Sequence, residues 1–325
     1  KSDMSRLILV PQYPTPMRYQ QWWAKVFPEQ FSKYFDKVVT LGVTDPSVFS
    51  SLPESSGMPG SVFAPMENAM EFEARQIMQY ADLVLKPDDV LLLCDLSYPG
   101  LFANALFHKR PKKCFAICHA TSKNRYDYFL HERGLKWPIE TRQAALFDTV
   151  FVASHYHRLK LGWGNTAVVP FPNPPFSSEL PMLLFPMKTR TLINVSRPGL
   201  QKRNMKFEKE VCRRLGLKVE TPFVMSSWAA YYQYLAESKV LLITAKEETY
   251  GYQIVDAVRN GCVPVAPRAF SYPELLPNEY LYDSIDECVK IIEGVLADKV
   301  STPRLLTEGQ AEQFYEDVSH IMLYE

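Results

Sequence analysis

Short apolar runs alternate with helix-period segments along this chain. Arg6–Val10, Lys37–Leu41, Val90–Asp95, Lys113–His119, Thr149–Ser154 and Ala167–Val169 are each dense in Val, Ile, Leu and Phe, as expected of strands buried on both faces. Between them, Met66–Tyr80 and Glu140–Phe147 carry helical periodicity, and a helix is predicted from the aromatic segment Pro14–Trp23 through about Phe35. Ser47–Pro65 is rich in Ser, Pro and Gly and predicts an extended loop. Repeated prolines in Pro170–Pro186 prevent both helix and interior strand, which makes that stretch a boundary. The alternation then restarts. Strands are expected at Arg190–Val195, Leu217–Val219, Val240–Ile243 and Val263–Ala266. Helices are expected at Lys206–Leu215, Tyr231–Glu237, from about Gly251 to Gly261, at Ile285–Leu296 and at Gln310–Leu323. Two such runs predict an α/β protein with two doubly wound, Rossmann-like domains facing a cleft. The expected divisions are 4–172, a linker 173–188, a second domain 189–308 and a last helix 309–325.

The densest chemistry lies in Lys246–Pro267. Glu248 sits in the loop after an apolar strand, and Asp256 lies eight positions later in the following helix. In open α/β sheets, ligands bind at the carboxyl ends of the strands. The helix opening near Gly251 and Tyr252 presents N–H groups suited to an anion. Such a place fits a nucleotide diphosphate sugar: N–H groups for phosphate, one carboxylate for sugar hydroxyls and the other for ribose. The alternative is a loop acid and a helical acid on solvated faces. Upstream, Ser196-Arg197-Pro198-Gly199-Leu200-Gln201-Lys202 follows the first strand of the second domain. Arg197 offers a fork and Lys202 a point charge, a pair able to clamp a diphosphate or simply to decorate an exposed basic loop.

At these residues the chain resembles the retaining glycosyltransferases of GT-B architecture, family-4-like, whose signature is Glu-x7-Glu. Here it reads Glu248-x7-Asp256, with Tyr250, Gly251, Ala257, Gly261, Pro264 and Val265 in matching places. The second acid is shorter by one methylene. Arg197 and Lys202 keep the Arg-x4-Lys spacing, with Ser196 where the family has Gly. The resemblance implies sugar transfer with retention and no metal, the nucleotide diphosphate sugar being a co-substrate. Arg197 and Lys202 would stabilise the leaving diphosphate and Glu248 would position the sugar. Ser196, Tyr250, Gly251, Tyr252 and Asp256 would bind the donor. It also implies that the last helix crosses back to the first domain.

In the first domain, the resemblance places His119 against the transferred sugar; a lone His at a strand end is otherwise a satisfied structural residue. Asp95, before Tyr98-Pro99-Gly100, could deprotonate an acceptor hydroxyl or cap the next helix. Relatives have a glycine-rich loop after the first strand, but this chain has no glycine between residues 5 and 41. Arg18, Tyr19, Trp22 and Trp23 stand there and, with Tyr98, form the expected acceptor surface; the alternative is that the Trp residues fill the core.

Composition narrows the classes. The chain has 325 residues with 36 basic and 36 acidic side chains, so net charge is near zero, which argues against a purely electrostatic grip on nucleic acid. No apolar run is long enough for a transmembrane helix. Lys1-Ser2-Asp3 precedes Met4 without a secretory signal, and the six cysteines read as reduced core thiols, so an intracellular, cytoplasmic location is expected, the host's if the chain is phage-encoded. Cys114, Cys118 and His119 share one strand whose alternating faces would not converge on a metal. The basic turn His108–Lys113 (HKRPKK) would matter only for a polyanionic acceptor. The first reading of that acceptor is a hydroxymethylated pyrimidine in duplex DNA, as in phage DNA-modifying enzymes of this architecture. The alternatives are a small-molecule, glycan or lipid acceptor, an inactive nucleotide-sugar-binding module and, last, an epimerase.

Overall fold

The computed structural model describes residues 5–15, 18–42, 66–126, 133–175, 187–196, 202–222 and 227–325. The chain divides into two compact units. The first takes the described residues up to Pro172 together with Gln310–Glu325, and the second takes those of Asn173–Gly309.

The first unit runs β1 (Arg6–Val10), α1 (Tyr19–Phe31), β2 (Lys37–Thr40), α2 (Met66–Asp82), β3 (Asp89–Leu93), a 3-10 run at Phe102–Phe107, β4 (Lys113–Ile117), α3 (Arg133–Ala144), β5 (Thr149–Val152), α4 (His155–Leu161) and β6 (Thr166–Val168). Its sheet has the order β2-β1-β3-β4-β5-β6, with every pair parallel. Parallel strands joined by crossovers carry helices on both faces, which is why β1 and β3 are buried along their whole length. The order reverses between β1 and β3, so the carboxyl ends of those strands form a topological switch point.

The second unit runs β7 (Arg190–Ile193), α5 (Met205–Leu215), α6 (Trp228–Ala236), β8 (Ser238–Leu242), α7 (Tyr252–Arg259), β9 (Val263–Pro267), α8 (Tyr272–Leu275), β10 (Leu281–Tyr282), α9 (Ile285–Leu296) and α10 (Glu308–Glu312), the last of which reaches the division between units. Its sheet is β10-β9-β8-β7, again all parallel, with Glu220 bridging to Ile193 beside β7. The switch point here lies between β7 and β8.

The final helix, α11 (Phe314–Tyr324), packs in the first unit. The Phe314 ring lies 5.8 Å from Phe27 of α1, and Tyr315 meets Phe27 and Phe31 edge-on. Lys113 Nζ donates to the carbonyls of Met322 and Leu323 at 3.3 and 2.8 Å, placing a cation at the negative end of that helix.

The structure departs from the sequence expectations chiefly at element ends. Asp95, His119 and Ser154 lie past the last residues of β3, β4 and β5, because polar groups leave the ladder where the sheet ends. The strand expected at Leu217–Val219 is reduced to the single bridge at Glu220. The helix expected at Glu140–Phe147 starts earlier, at Arg133, and accommodates Pro138. The segment after Gly100 forms a 3-10 run, and the last helix is interrupted at Gln313. The loop expected over Ser47–Pro65 lies outside the described residues.

Candidate functional site

The loops leaving β7 and β8 meet at the second unit's switch point. Lys202 Nζ stands 3.3 Å from Glu248 Oε2. Glu248 Oε1 accepts from the backbone N–H of Thr249 at 2.9 Å and of Tyr250 at 3.4 Å, which fixes the carboxylate over its own turn. At the other end of the β7 loop, Ser196 Oγ donates to Gln253 Oε1 at 3.1 Å, and Ser196 N–H donates to Asn194 Oδ1 at 2.9 Å. The β7 loop is therefore tied at Ser196 and at Lys202 to the segment that carries Glu248 and opens α7. Arg197, expected as the second cation, lies outside the described residues.

Helix α7 begins at Gly251 with no side-chain cap and no acid in its first turn. Gly251 has φ 114, a conformation open to glycine, and a Cβ there would stand 3.1 Å from Leu275 Cδ1. Tyr250 is buried. Its carbonyl accepts from Ser271 Oγ at 2.8 Å, so it anchors the turn that presents Tyr252 and the helix start. Asp256 is buried on α7. Burial pushes its carboxyl up to about 8, against the opposing pull of Arg259 and of the Tyr231 hydroxyl. Its Oδ1 has no hydrogen-bond partner among the described residues.

Sequence reasoning missed the support beneath Lys202. Arg203 makes a bidentate pair with Glu208, Nε to Oε2 at 2.7 Å and Nη2 to Oε1 at 2.5 Å, and Nη1 donates to Thr221 Oγ1 at 3.0 Å. Asn194 Nδ2 donates to Glu208 Oε2 at 2.7 Å. Gln253 was missed as well. An Asn at a strand end and an acid four residues into a helix were the available signals, but neither pairing can be read from spacing.

In the first unit, Asp95 stands at the β1/β3 switch point. Gln12 Nε2, from the β1 loop, donates to Asp95 Oδ2 at 2.5 Å, and Ser97 N–H donates to Oδ1 at 3.0 Å. Burial raises the carboxyl well above the usual range. The capping role considered for Asp95 belongs to Glu73 of α2, whose Oε2 accepts from Leu101 and Phe102 N–H at 2.6 and 3.0 Å at the start of the 3-10 run. Glu73 is itself pushed up to about 7 by burial. Tyr98, in the same loop, is half-buried and joined to Pro99 by a cis peptide bond.

His119 is 8 % exposed, with Nε2 donating to the Cys94 carbonyl at 3.0 Å. Its ring stacks on Tyr19 at 4.6 Å and leans on Trp23 and Phe171. Burial lowers its pKa to about 3, so the ring is neutral and Nδ1 is left as an acceptor. Trp23, 2 % exposed, packs on Phe27, Phe171 and Phe314, and Trp22 is buried too. Both indoles are thus turned into the core, the alternative that the sequence left open beside a stacking surface. An aromatic helix face in this position fills the core between α1, the sheet and α11. Arg18 starts α1 and is half-buried, as is Tyr19.

The basic turn is drawn inward at Lys109 and Lys113, while His108, Arg110 and Lys112 stay exposed. Lys109 Nζ binds the carbonyls of Tyr80 and Ala81 at 3.3 and 3.0 Å and also that of Leu83, Arg110 pairs with Asp148 at 3.6 Å, and Lys113 caps α11. Among the described residues no group of three or more His, Cys, Asp or Glu could hold a metal ion, all six cysteines are free thiols, and no helix is long and apolar enough to cross a membrane.

Two all-parallel Rossmann-like sheets with a C-terminal helix returned to the first unit define the GT-B fold. Solved structures of that fold align over the whole chain. A sucrose-phosphate synthase from Thermosynechococcus elongatus superposes with a TM-score of 0.58 at 13% identity, covering 98% of this chain and 95% of its own. An alpha,alpha-trehalose-phosphate synthase (UDP-forming) from Burkholderia vietnamiensis gives 0.58 at 13%, covering 99% and 94%. In sequence, a tRNA-queuosine alpha-mannosyltransferase of Drosophila melanogaster is 31% identical over 87 residues, which is 27% of this chain and 22% of that protein's length. No protein-family model matches the chain.

Proposed function

We propose that this chain transfers a glycosyl group from a nucleotide diphosphate sugar to an acceptor hydroxyl with retention of anomeric configuration and without a metal. The observation that carries the reading is the Lys202–Glu248 pair at the β7/β8 switch point, beside the uncapped start of α7. On donor binding, the Lys202 ammonium turns to the diphosphate, joined by Arg197 and by the α7 N–H groups. Glu248 takes sugar hydroxyls. The unpartnered Oδ1 of Asp256 takes a ribose hydroxyl, a contact that removes the cost of a buried lone oxygen.

The bond from the anomeric carbon to the diphosphate oxygen breaks, and the bond to the acceptor oxygen forms on the same face. The acceptor proton passes to the departing phosphate oxygen. Fixed positive charge opposite that developing negative charge is the main source of rate. The acceptor is assigned to the first unit's own switch point, where Gln12 and Asp95 meet. Asp95, whose oxygens are held by Gln12 and Ser97 N–H, then serves to orient a hydroxyl rather than to deprotonate it.

A small-molecule, glycan or lipid acceptor is preferred over hydroxymethylpyrimidine in DNA, because two lysines of the basic turn that suggested DNA, Lys109 and Lys113, bind the protein's own carbonyls and Arg110 pairs with Asp148, which leaves Lys112 as its exposed lysine. The name of the local relative adds a modified nucleoside in tRNA to the acceptors to be tried. The test is a thermal-shift panel of nucleotide sugars with the wild type and Lys202→Ala. Stabilisation of the wild type by one base class, weakened in the variant, is expected. If no nucleotide sugar shifts the wild type, the reading is wrong.

A further inference from the structure

One carboxylate holds both ends of the β7 loop. Glu208, on α5, takes Arg203 in a two-point grip immediately after Lys202. The same Glu208 accepts from Asn194, whose own Oδ1 accepts from Ser196 N–H at the loop's start. The pair is sealed from water, with side-chain exposure of 3 % for Arg203 and 2 % for Glu208. Backbone bonds then lay this segment against the Glu248 loop. Lys202 carbonyl accepts from Lys246 N–H at 2.7 Å, and Asn204 N–H donates to Thr244 carbonyl at 2.8 Å. The grip adds a side-chain clamp to these backbone bonds directly beside Lys202, a residue whose four-carbon stem otherwise spreads its charge over many positions.

We infer that Glu208 is the positioning residue for diphosphate recognition: through Arg203 and Asn194 it fixes Lys202 beside Glu248, so that the ammonium is pre-placed for the donor. It touches no ligand itself. The inference rests on the reading of Lys202 as a diphosphate-binding cation. Burying a charged pair is costly, and replacing such pairs by apolar residues is often neutral or stabilising. Its location under the β7 loop therefore points to geometry rather than to stability as its contribution.

A double-mutant cycle in the full chain tests this, with UDP, GDP, ADP, CDP and dTDP titrated calorimetrically. Glu208→Gln is expected to weaken the nucleoside diphosphate that binds best by about tenfold in the wild-type background, and by less than about twofold when Lys202 is already Ala. A merely structural role would weaken binding equally in both backgrounds, and that result overturns the inference while leaving the transferase reading intact. If Glu208→Gln does not fold, Thr221→Val, which removes one bond to Arg203 without stranding a charge, replaces it in the same cycle. A loss of about threefold that vanishes with Lys202→Ala is then expected, and an unchanged affinity overturns the inference. A wild type that binds none of the five diphosphates sinks the transferase reading first, and the inference with it.

Discussion

Lys202 and Glu248 lie 46 positions apart in sequence and 3.3 Å apart in space, on loops leaving two neighbouring parallel strands. The contact neutralises a cation and an anion that would otherwise share a half-buried site, and it leaves both able to exchange partners when a charged ligand arrives. Removing the cation should expose its role most directly. Lys202→Ala is expected to lower kcat for sugar transfer by about 10²–10³, the range for loss of one preorganised group facing a developing charge. Steady-state kinetics with the donor identified by thermal shift checks it. A variant with full turnover and only a raised KM would make Lys202 a uniform binding residue instead.

Asp256 sets a pH dependence. Its folded pKa, about 8, lies above the unfolded value for Asp. The folded state therefore holds the proton more tightly than the unfolded state. Stability from this group is greatest below the unfolded pKa and declines as pH rises, levelling off above about 8. Asp256→Asn, which stays neutral, is expected to match the wild type near pH ~4 and to exceed its thermal midpoint by about 2–4 °C near pH ~9. Melting curves across that range decide it, and a gap that does not change with pH would show that the carboxyl is not held protonated.

Gly251 tests the turn. An alanine there must adopt a φ of 114 and place its Cβ 3.1 Å from Leu275 Cδ1. Gly251→Ala is expected to destabilise the protein by about 1–3 kcal/mol and to weaken nucleoside diphosphate binding, because the start of α7 is displaced. Urea unfolding with and without the best-binding diphosphate separates the two effects. Unchanged affinity would remove the helix start from the donor site.

The basic turn gives a contrast. Lys113→Ala removes the cation at the end of α11 and is expected to cost about 0.5–1 kcal/mol in stability, with no change in transfer to a non-DNA acceptor. If Lys113→Ala instead abolished a salt-sensitive affinity for duplex DNA while the fold stayed equally stable, the acceptor reading would revert to DNA.

Much of this was legible in the residues themselves. Continuous Val, Ile and Leu runs between polar loops can bury both faces only in a parallel sheet, so the two Rossmann-like halves followed from pattern alone. The placement of Glu248, Gly251 and Lys202 in loops after strands was legible from spacing, because the βαβ unit converts sequence order into loops at the strand ends. The sequence left open whether the Trp22 and Trp23 rings turn inward or outward, since an aromatic helix face suits a core and a ligand equally well.

Side-chain partners across long sequence separations were decided by the tertiary structure. Gln12 reaches Asp95 because β1 and β3 are neighbours, and Glu73 displaces Asp95 as the cap at Leu101 because α2 lies beside that loop. The same holds for Glu208, which meets Asn194 and Arg203 through the placement of α5, and for the inward turn of Lys109 and Lys113. Periodicity encodes which face of an element is buried. The neighbour found there depends on strand order and crossover paths, which no local spacing records.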